Sequence, residues 1–553
     1  MNNLDVARAL YEIADLLELK DEDGFKVRAY RKAAQAIELL LEGVDEVARR
    51  GALTSIPGIG KAIAEKVTEL LRTGHLAYLD DLRRAVPPGV GEMTRVPGLG
   101  AKTAALLYSR LGINSLDRLE LAARQHELRD LPGMGPKKEA AILDALAKMR
   151  TRNERIPIGS VRPLAEALAG YLRLHPAVTQ ADLAGSIRRR EDTVADIDLV
   201  AASDAPADVI AYIKRLEIAG DVVSEAPDRI ELMTSLGRRM DVRVVPPGRY
   251  ALTLLETTGS RAHLEALGPL TPAPTEAEIY AGKGLPYIEP ELREGRGEVE
   301  AARDGRLPHL LTERDLKGDL HAHTHASDGH ATALEMAEAA RALGHQYLAI
   351  CDHSQSLVIA GGLKPEQVRM QGAELRRLNQ GFTDFRLLRG SEVDILRDGS
   401  LDFPDELLRD LDVVVASIHS LMKLDEETQT ERLVQAIKNP HVDIIAHPTG
   451  RVLGRRDPYA LNIERVVDAC ARTGTALEIS ASPARLDLSD IHARLAKQRG
   501  VKLSIDTDAH TTHELELLPH GVGQARRAWV EAGDVVNAMD LAPLLAWLAK
   551  EKG

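Results

Sequence analysis

The sequence predicts a multidomain chain: an all-α N-terminal part, an α+β middle and an α/β barrel at the C-terminus. Three observations carry this reading. A hydrophobic-Pro-Gly-hydrophobic-Gly turn recurs between helical patterns, at residues 56–60, 96–100 and 131–135, as expected of repeated two-helix units. Beyond Ile156-Pro157 the pattern changes to β-type runs such as ADIDLVAA, RIELMTS and MDVRVVPP, interleaved with helical segments. From residue 317 onward, apolar strand-like runs alternate with helices and end in His, Asp or Glu, the rhythm of an α/β barrel.

Composition narrows the function classes. A chain of 553 residues, 44% hydrophobic and 28% charged, reads as several soluble domains with separate cores. No stretch approaches the ~20 apolar residues of a membrane span, and the acidic, helical start is unlike a signal peptide. A cytoplasmic monomer with no membrane partner is expected. The two cysteines, Cys351 and Cys470, exclude a disulfide framework, so any metal must use His and carboxylates. The net charge of −13 argues against nucleic acid only on average. Residues 51–160 hold 17 Lys and Arg against 12 Asp and Glu, a local +5. Histidine clusters too, with 13 of 18 in residues 317–553.

In residues 1–90 and 91–155 the repeated turn supplies candidate DNA-binding residues. Gly58, Gly60, Gly98, Gly100, Gly133 and Gly135 let the chain curl so that backbone amides at a helix start face a phosphate. Lys61, Lys66, Lys102, Lys137 and Lys138 add cations for the same backbone. One such turn alone could be a tight helix connection without a ligand; three favour DNA held without regard to sequence. The segment GFKVRAYRKAAQAIELL with IPGIGKAIAEKVTELLRTG resembles the small N-terminal domain of DNA polymerase beta. That resemblance implies that Lys66 is the lysine forming a Schiff base with an abasic sugar; a solvated surface cation is the plainer reading.

Residues 156–250 hold Gly185-Ser186-Ile187-Arg188-Arg189-Arg190 followed by Asp196-Ile197-Asp198, with Asp241 on a later run. Carboxylates at i and i+2 of a strand share a face. With Asp241 they suit the two cations, Mg²⁺ or Mn²⁺, of nucleotidyl transfer, while Gly185, Ser186, Arg188 and Arg189 would hold a triphosphate. An exposed edge-strand pair is the plainer reading of D-x-D alone. The whole stretch resembles the polymerase beta superfamily of nucleotidyltransferases and, with the helix-hairpin-helix turns, family X DNA polymerases. The resemblance implies a nucleotidyltransferase palm, then a thumb-like subdomain and linker at 251–316. It implies deoxynucleoside triphosphates and gapped or nicked DNA as substrates, and a role in base excision repair. Gly259 and Ser260 match the family's nucleotide pocket, but Glu256 and Thr257 stand where it has an aromatic pair, and Leu264 replaces an asparagine.

Residues 317–553 open with His321-Ala322-His323 and Asp328, and later strand-like runs lead to His353, Glu392, His419, His447, Asp508 and His510. In an α/β barrel all strands deliver their C-terminal ends to one face, so these nine converge on two or three cations, with Glu392 as a bridge. His325 and His330 read as outlying, while Arg451 and Arg485 could hold a substrate phosphate. The pattern resembles the polymerase and histidinol phosphatase (PHP) family, which implies a distorted seven-stranded barrel hydrolysing phosphoesters with Mn²⁺, Zn²⁺ or Fe²⁺. The residues leave 3′-5′ exonuclease, abasic endonuclease and 3′-phosphatase equally open. They also leave an alternative in which the barrel is a nuclease targeted to gaps by a polymerase-like core of weak or lost activity.

Overall fold

The computed structural model describes residues 3–20, 24–38, 44–56, 58–85, 88–93, 96, 99–129, 131–235 and 237–549. The chain forms two compact units, residues 1–154 and 155–553. The first is all helical. Asn3–Leu19, Gly24–Glu38 and Lys61–Thr73 enclose one core around Leu10, Ile13, Ile37 and Val67. Ala101–Leu111, Leu116–Arg124 and Pro136–Glu154 enclose a second around Leu107, Leu119 and Ile142.

The second unit begins with a mixed sheet. Its strands are β1 (Gln180–Leu183), β2 (Ile197–Ala202), β3 (Ala219–Ala226), β4 (Arg229–Thr234) and β5 (Arg239–Val245), in the spatial order β1-β2-β5-β4-β3. β2 and β5 are parallel neighbours, and Asp198 lies directly opposite Asp241. Alternation decides what faces where: Ile197 and Leu199 enter the core under helix Ile158–Arg173, while Asp198 points to the other face. Helices Pro247–Thr258, Glu276–Ala281 and Glu298–Arg303 then build the small thumb-like core around Leu255, Tyr280 and Ile288.

Seven parallel strands follow in sequential order: β6 (Gly318–Ala322), β7 (Tyr347–Ile350), β8 (Arg386–Asp394), β9 (Val413–Ser417), β10 (Ile444–Ile445), β11 (Ala476–Ser480) and β12 (Leu503–Asp506). Their nearly unbroken apolar runs, YLAI and VVVA among them, suit strands buried on both faces. The first and last strands are joined by a parallel bridge at Ala322 and Ala509, so the sheet is a nearly closed barrel. Side chains reinforce that seam. The Leu320 amide donates to Asp506 at 2.8 Å, the Thr507 hydroxyl to Asp319 at 2.5 Å, and the Asn537 amide to the Gly318 carbonyl at 3.0 Å. Burial, then the Asp506 charge, pushes the Asp319 carboxyl up from its ordinary range.

Candidate active sites

The three helix-hairpin-helix turns share one backbone geometry. The amides of Ile59, Leu99 and Met134 donate to the carbonyls of Ile56, Val96 and Leu131 at 3.0, 2.9 and 3.0 Å. Gly60, Gly100 and Gly135 then accept the first bonds of the following helices. Gly58 and Gly133 sit at φ of +97° and +76°, where side chains are strained. A glycine cap has no side chain to cover the first amides of a helix, which leaves them to an external acceptor. Lys61 and Lys137 are exposed beside two of these starts. Gly98 and the Lys102 side chain lie outside the described residues. Lys66 is half-buried, its Nζ over the Tyr78 ring at 4.7 Å.

At the palm, Asp198 and Asp241 share a face, and Asp196 stands in a bend one residue before β2 instead of within it. Burial, then the charges of Asp196 and Asp241, pushes the Asp198 carboxyl up to about 7. Burial raises Asp196 as well. Asp241 is held by a bidentate pair with Arg229 at 2.8 Å. The glycine of Gly185-Ser186 has a steric reason: at φ +57°, a Cβ there would lie 1.8 Å from Asp198 Oδ2.

The other predicted nucleotide-binding groups are engaged elsewhere. Arg188 donates to Thr258 Oγ1 at 2.9 Å and forks onto Glu276 at 2.9 and 2.6 Å. Arg189 donates to the Thr258 carbonyl and to Glu294, at 2.8 and 2.9 Å. Both guanidinium groups therefore tie the palm turn to the thumb-like subdomain, where a triphosphate role was expected. Ser260 caps helix Arg261–Leu267 with its hydroxyl, and its amide donates to the Arg293 carbonyl at 3.0 Å. Gly259 packs under His263 and Leu264. His263 is wholly buried between Glu298 (2.6 Å) and the Tyr280 hydroxyl (2.9 Å).

All nine barrel residues meet at one end. Ligand atoms of His323, Asp328, His353 and His510 lie within 4.8 Å of one another, as do those of His321, His323, Glu392 and Asp508, and of His353, Glu392 and His419. His447 closes the group, its Nε2 3.0 Å from Glu392. Burial opposes ionisation throughout, but the carboxylates of Glu392 and its neighbours outweigh it. His353 is held up at about 10, and His419 and His510 at about 9. Burial wins at His323, which falls beside His353, and at His447, which falls to about 4 beside Arg485. His447 and Asp508 hold φ of 29° and 54°, strain of the kind that surrounding structure must maintain. His321 Nε2, both ring nitrogens of His323, His353 Nδ1 and Glu392 Oε2 are buried without a hydrogen-bond partner. Unpartnered donor atoms facing one another fit cations. His325 and His330 are exposed.

Sequence reasoning missed the groups behind these. Glu478 on β11 receives His321 Nδ1 at 2.8 Å and the His447 amide at 2.6 Å. Asp394 receives His419 Nδ1 at 2.9 Å. Such partners set which ring nitrogen is free for a metal. A lone Glu inside the apolar run ALEIS was the available signal. Arg451, expected to meet substrate phosphate, is instead bound to Asp192 at 2.9 Å and to the Arg485 and Leu486 carbonyls. Arg485 lies 3.8 Å from Asp508, at the edge of the ligand cluster.

Comparison with known proteins agrees with this division. A family model described as a helix-hairpin-helix domain matches residues 1–76, and one described as a SAM-like helix-hairpin-helix tandem matches residues 90–148. The DNA polymerase/3′-5′ exonuclease PolX of Bacillus subtilis is 38% identical over 573 aligned positions, covering all of both chains. A protein named "probable phosphatase" from Thermoanaerobacter sp. is 31% identical across 42% of this chain and 95% of its own length. Another from Caldanaerobacter subterraneus is 34% identical across 35% of this chain and 75% of its own.

Proposed function

The chain belongs to the PolX family of DNA polymerase/3′-5′ exonucleases, and from that premise we propose how its two sites divide the work. The palm extends a primer in a short DNA gap, and the barrel hydrolyses 3′ ends. What supports this reading is the ligand cluster of the barrel and, on a different sheet of the same unit, Asp198 directly opposite Asp241.

At the palm, Asp196, Asp198 and Asp241 would hold Mg²⁺ or Mn²⁺, and the chemistry supplied there would be Lewis-acid activation of the 3′-hydroxyl and of the pyrophosphate leaving group. Asp198, raised by burial and by its acidic neighbours, would be ionised beside a cation, and Arg229 steadies Asp241. Gly185 lets the Gly185-Ser186 turn lie against Asp198, where its amides can meet the triphosphate. Deoxynucleoside triphosphates and gapped DNA are the substrates, with the glycine turns gripping the backbone. Lys66 acts as a cation facing DNA.

At the barrel, the nine ligands would hold two or three of Mn²⁺, Zn²⁺ or Fe²⁺, which would supply Lewis-acid chemistry for water attack on the phosphoester. Glu478 and Asp394 fix the imidazoles, and Arg485 balances the substrate phosphate. Missing pocket contacts at Glu256, Thr257 and Leu264 make synthesis slow, distributive and Mn²⁺-favoured, with some ribonucleotide incorporation. Each lost contact costs about ten- to hundredfold.

The test is one incubation with 5′-labelled gapped DNA, with and without nucleotides, in Mg²⁺ or Mn²⁺. Asp196→Ala with Asp198→Ala should cut extension at least about a thousandfold and spare degradation; His353→Ala should do the reverse. A folded variant that loses both activities sinks the two-site reading.

A further inference from the structure

The loop after β11 helps fasten the barrel's catalytic mouth to the palm. Between β11 and helix Asp490–Gln498 the chain runs through residues 481–489. Leu486, with φ of 44° and 1% exposure, inserts into the palm's own core beside Ile158 and Val194. Pro483 packs so closely that a Cβ on palm Gly159 would come within 2.0 Å of it. Leu453, in the loop after β10, donates its amide to the Ala484 carbonyl at 2.7 Å and also packs on that core.

Arg451 ties these parts together. Its Nη1 meets Asp192, four residues before Asp196, at 2.9 Å, and its Nε donates to the Arg485 carbonyl at 3.0 Å. Its Nη2 donates to the Leu486 carbonyl. The Arg451 side chain is 11% exposed and Asp192 29%, so solvent competes only partly for the pair. The residue whose backbone Arg451 grips is Arg485, and the Arg485 guanidinium stands 3.8 Å from Asp508 at the edge of the ligand cluster. A planar fork that spans a carboxylate and two carbonyls fixes direction as well as distance, which a lysine cannot do.

We propose that Arg451 is a positioning residue of the nuclease site: anchored on palm Asp192, it holds the Arg485 backbone so that the Arg485 guanidinium faces the substrate phosphate. The palm is then part of the nuclease's binding apparatus as well as the seat of synthesis. This rests on the barrel being the site of 3′-end hydrolysis.

The experiment is a double-mutant cycle on the full chain with a single-stranded oligonucleotide as substrate, metal content and thermal melting measured alongside. Arg451→Lys should raise KM roughly tenfold with kcat changed less than about twofold, as expected for one lost charge-assisted contact to substrate. Arg485→Ala should raise KM by at least as much. In the Arg485→Ala background, Arg451→Lys should add almost nothing, because both act through one group. Asp192→Asn, which leaves every barrel bond of Arg451 in place, should show a smaller KM rise that is likewise absorbed, and it serves if Arg451→Lys fails to fold. Additive effects, or an unchanged KM in folded, metal-loaded variants, overturn the proposal. Failure of the underlying reading is separate, since hydrolysis would then survive His353→Ala.

Discussion

The palm and the barrel both gather acidic groups at strand ends, and they hold them in opposite ways. In the barrel, six imidazoles surround Glu392, Asp328 and Asp508, so each buried carboxylate has a cationic or hydrogen-bonding neighbour before any metal arrives. Behind them, Glu478 and Asp394 lock the rings. The palm has three carboxylates and no imidazole; one keeps a proton near neutrality and another leans on Arg229. The lesson is electrostatic. A site with its own counter-charges is assembled in advance and can keep its ions between turnovers. A site of like charges is best completed when a nucleotide brings its cations along.

Four experiments break or sharpen this contrast. The largest effect is expected at Gly185, where the palm turn touches Asp198. Gly185→Ala puts a methyl 1.8 Å from the carboxylate oxygen and strains a φ of +57°, so primer extension should fall about a hundredfold. Hydrolysis of 3′ ends should be unchanged; equal loss of both would mean the two sites are not separately built.

Metal removal should then distinguish the sites by stability. A resident ion at a hundred times its Kd stabilises by about 2.7 kcal/mol. Dialysis against EDTA should therefore lower the barrel's melting temperature by roughly 5 to 10 °C, reversed by Mn²⁺. Asp196→Ala with Asp198→Ala should melt with the same EDTA shift as the parent. If that shift disappears with the palm aspartates gone, the contrast is wrong.

A pH profile tests how the palm turn is held. Burial opposes it, but Arg188 and Arg293 hold the Glu276 carboxyl down at about 2 from 4.5. A depressed folded-state value adds stability above the ordinary carboxylate range, and that stability is lost as pH falls from about 4.5 toward 2. Glu276→Gln leaves the buried Arg293 and the half-buried Arg188 without their carboxylate and should cost about 3 kcal/mol at neutral pH. It should also flatten this acid limb in denaturant unfolding. Parallel limbs for the two proteins would show that the pair contributes little.

The smallest effect is at the helix-hairpin-helix turns. Lys61→Ala should weaken DNA binding only a fewfold, equally for all sequences, and reduce the slope of log affinity against log salt by about one. A sequence-selective loss would contradict backbone recognition.

Much of this molecule is legible in its residues alone. The turns, the Asp196/Asp198/Asp241 set and all nine barrel residues are marked by short spacings or by the ends of apolar runs. Strand pairing then sets Asp198 opposite Asp241, and the parallel barrel brings its nine to one end, while Asp196 stands in a bend before its strand. Glu256, Thr257 and Leu264 are visible too, as departures from the pattern the sequence resembles. Only the tertiary structure decides what the arginines do. Arg188 finds Glu276 88 residues away, and Arg451 finds Asp192 259 residues away. Neither distance has a period that a strand or helix would impose. A guanidinium reads the same in sequence whether it will meet phosphate or a carboxylate of its own chain. The choice is made when the folded cores bring one carboxylate within 3 Å and exclude the water that would otherwise compete for it.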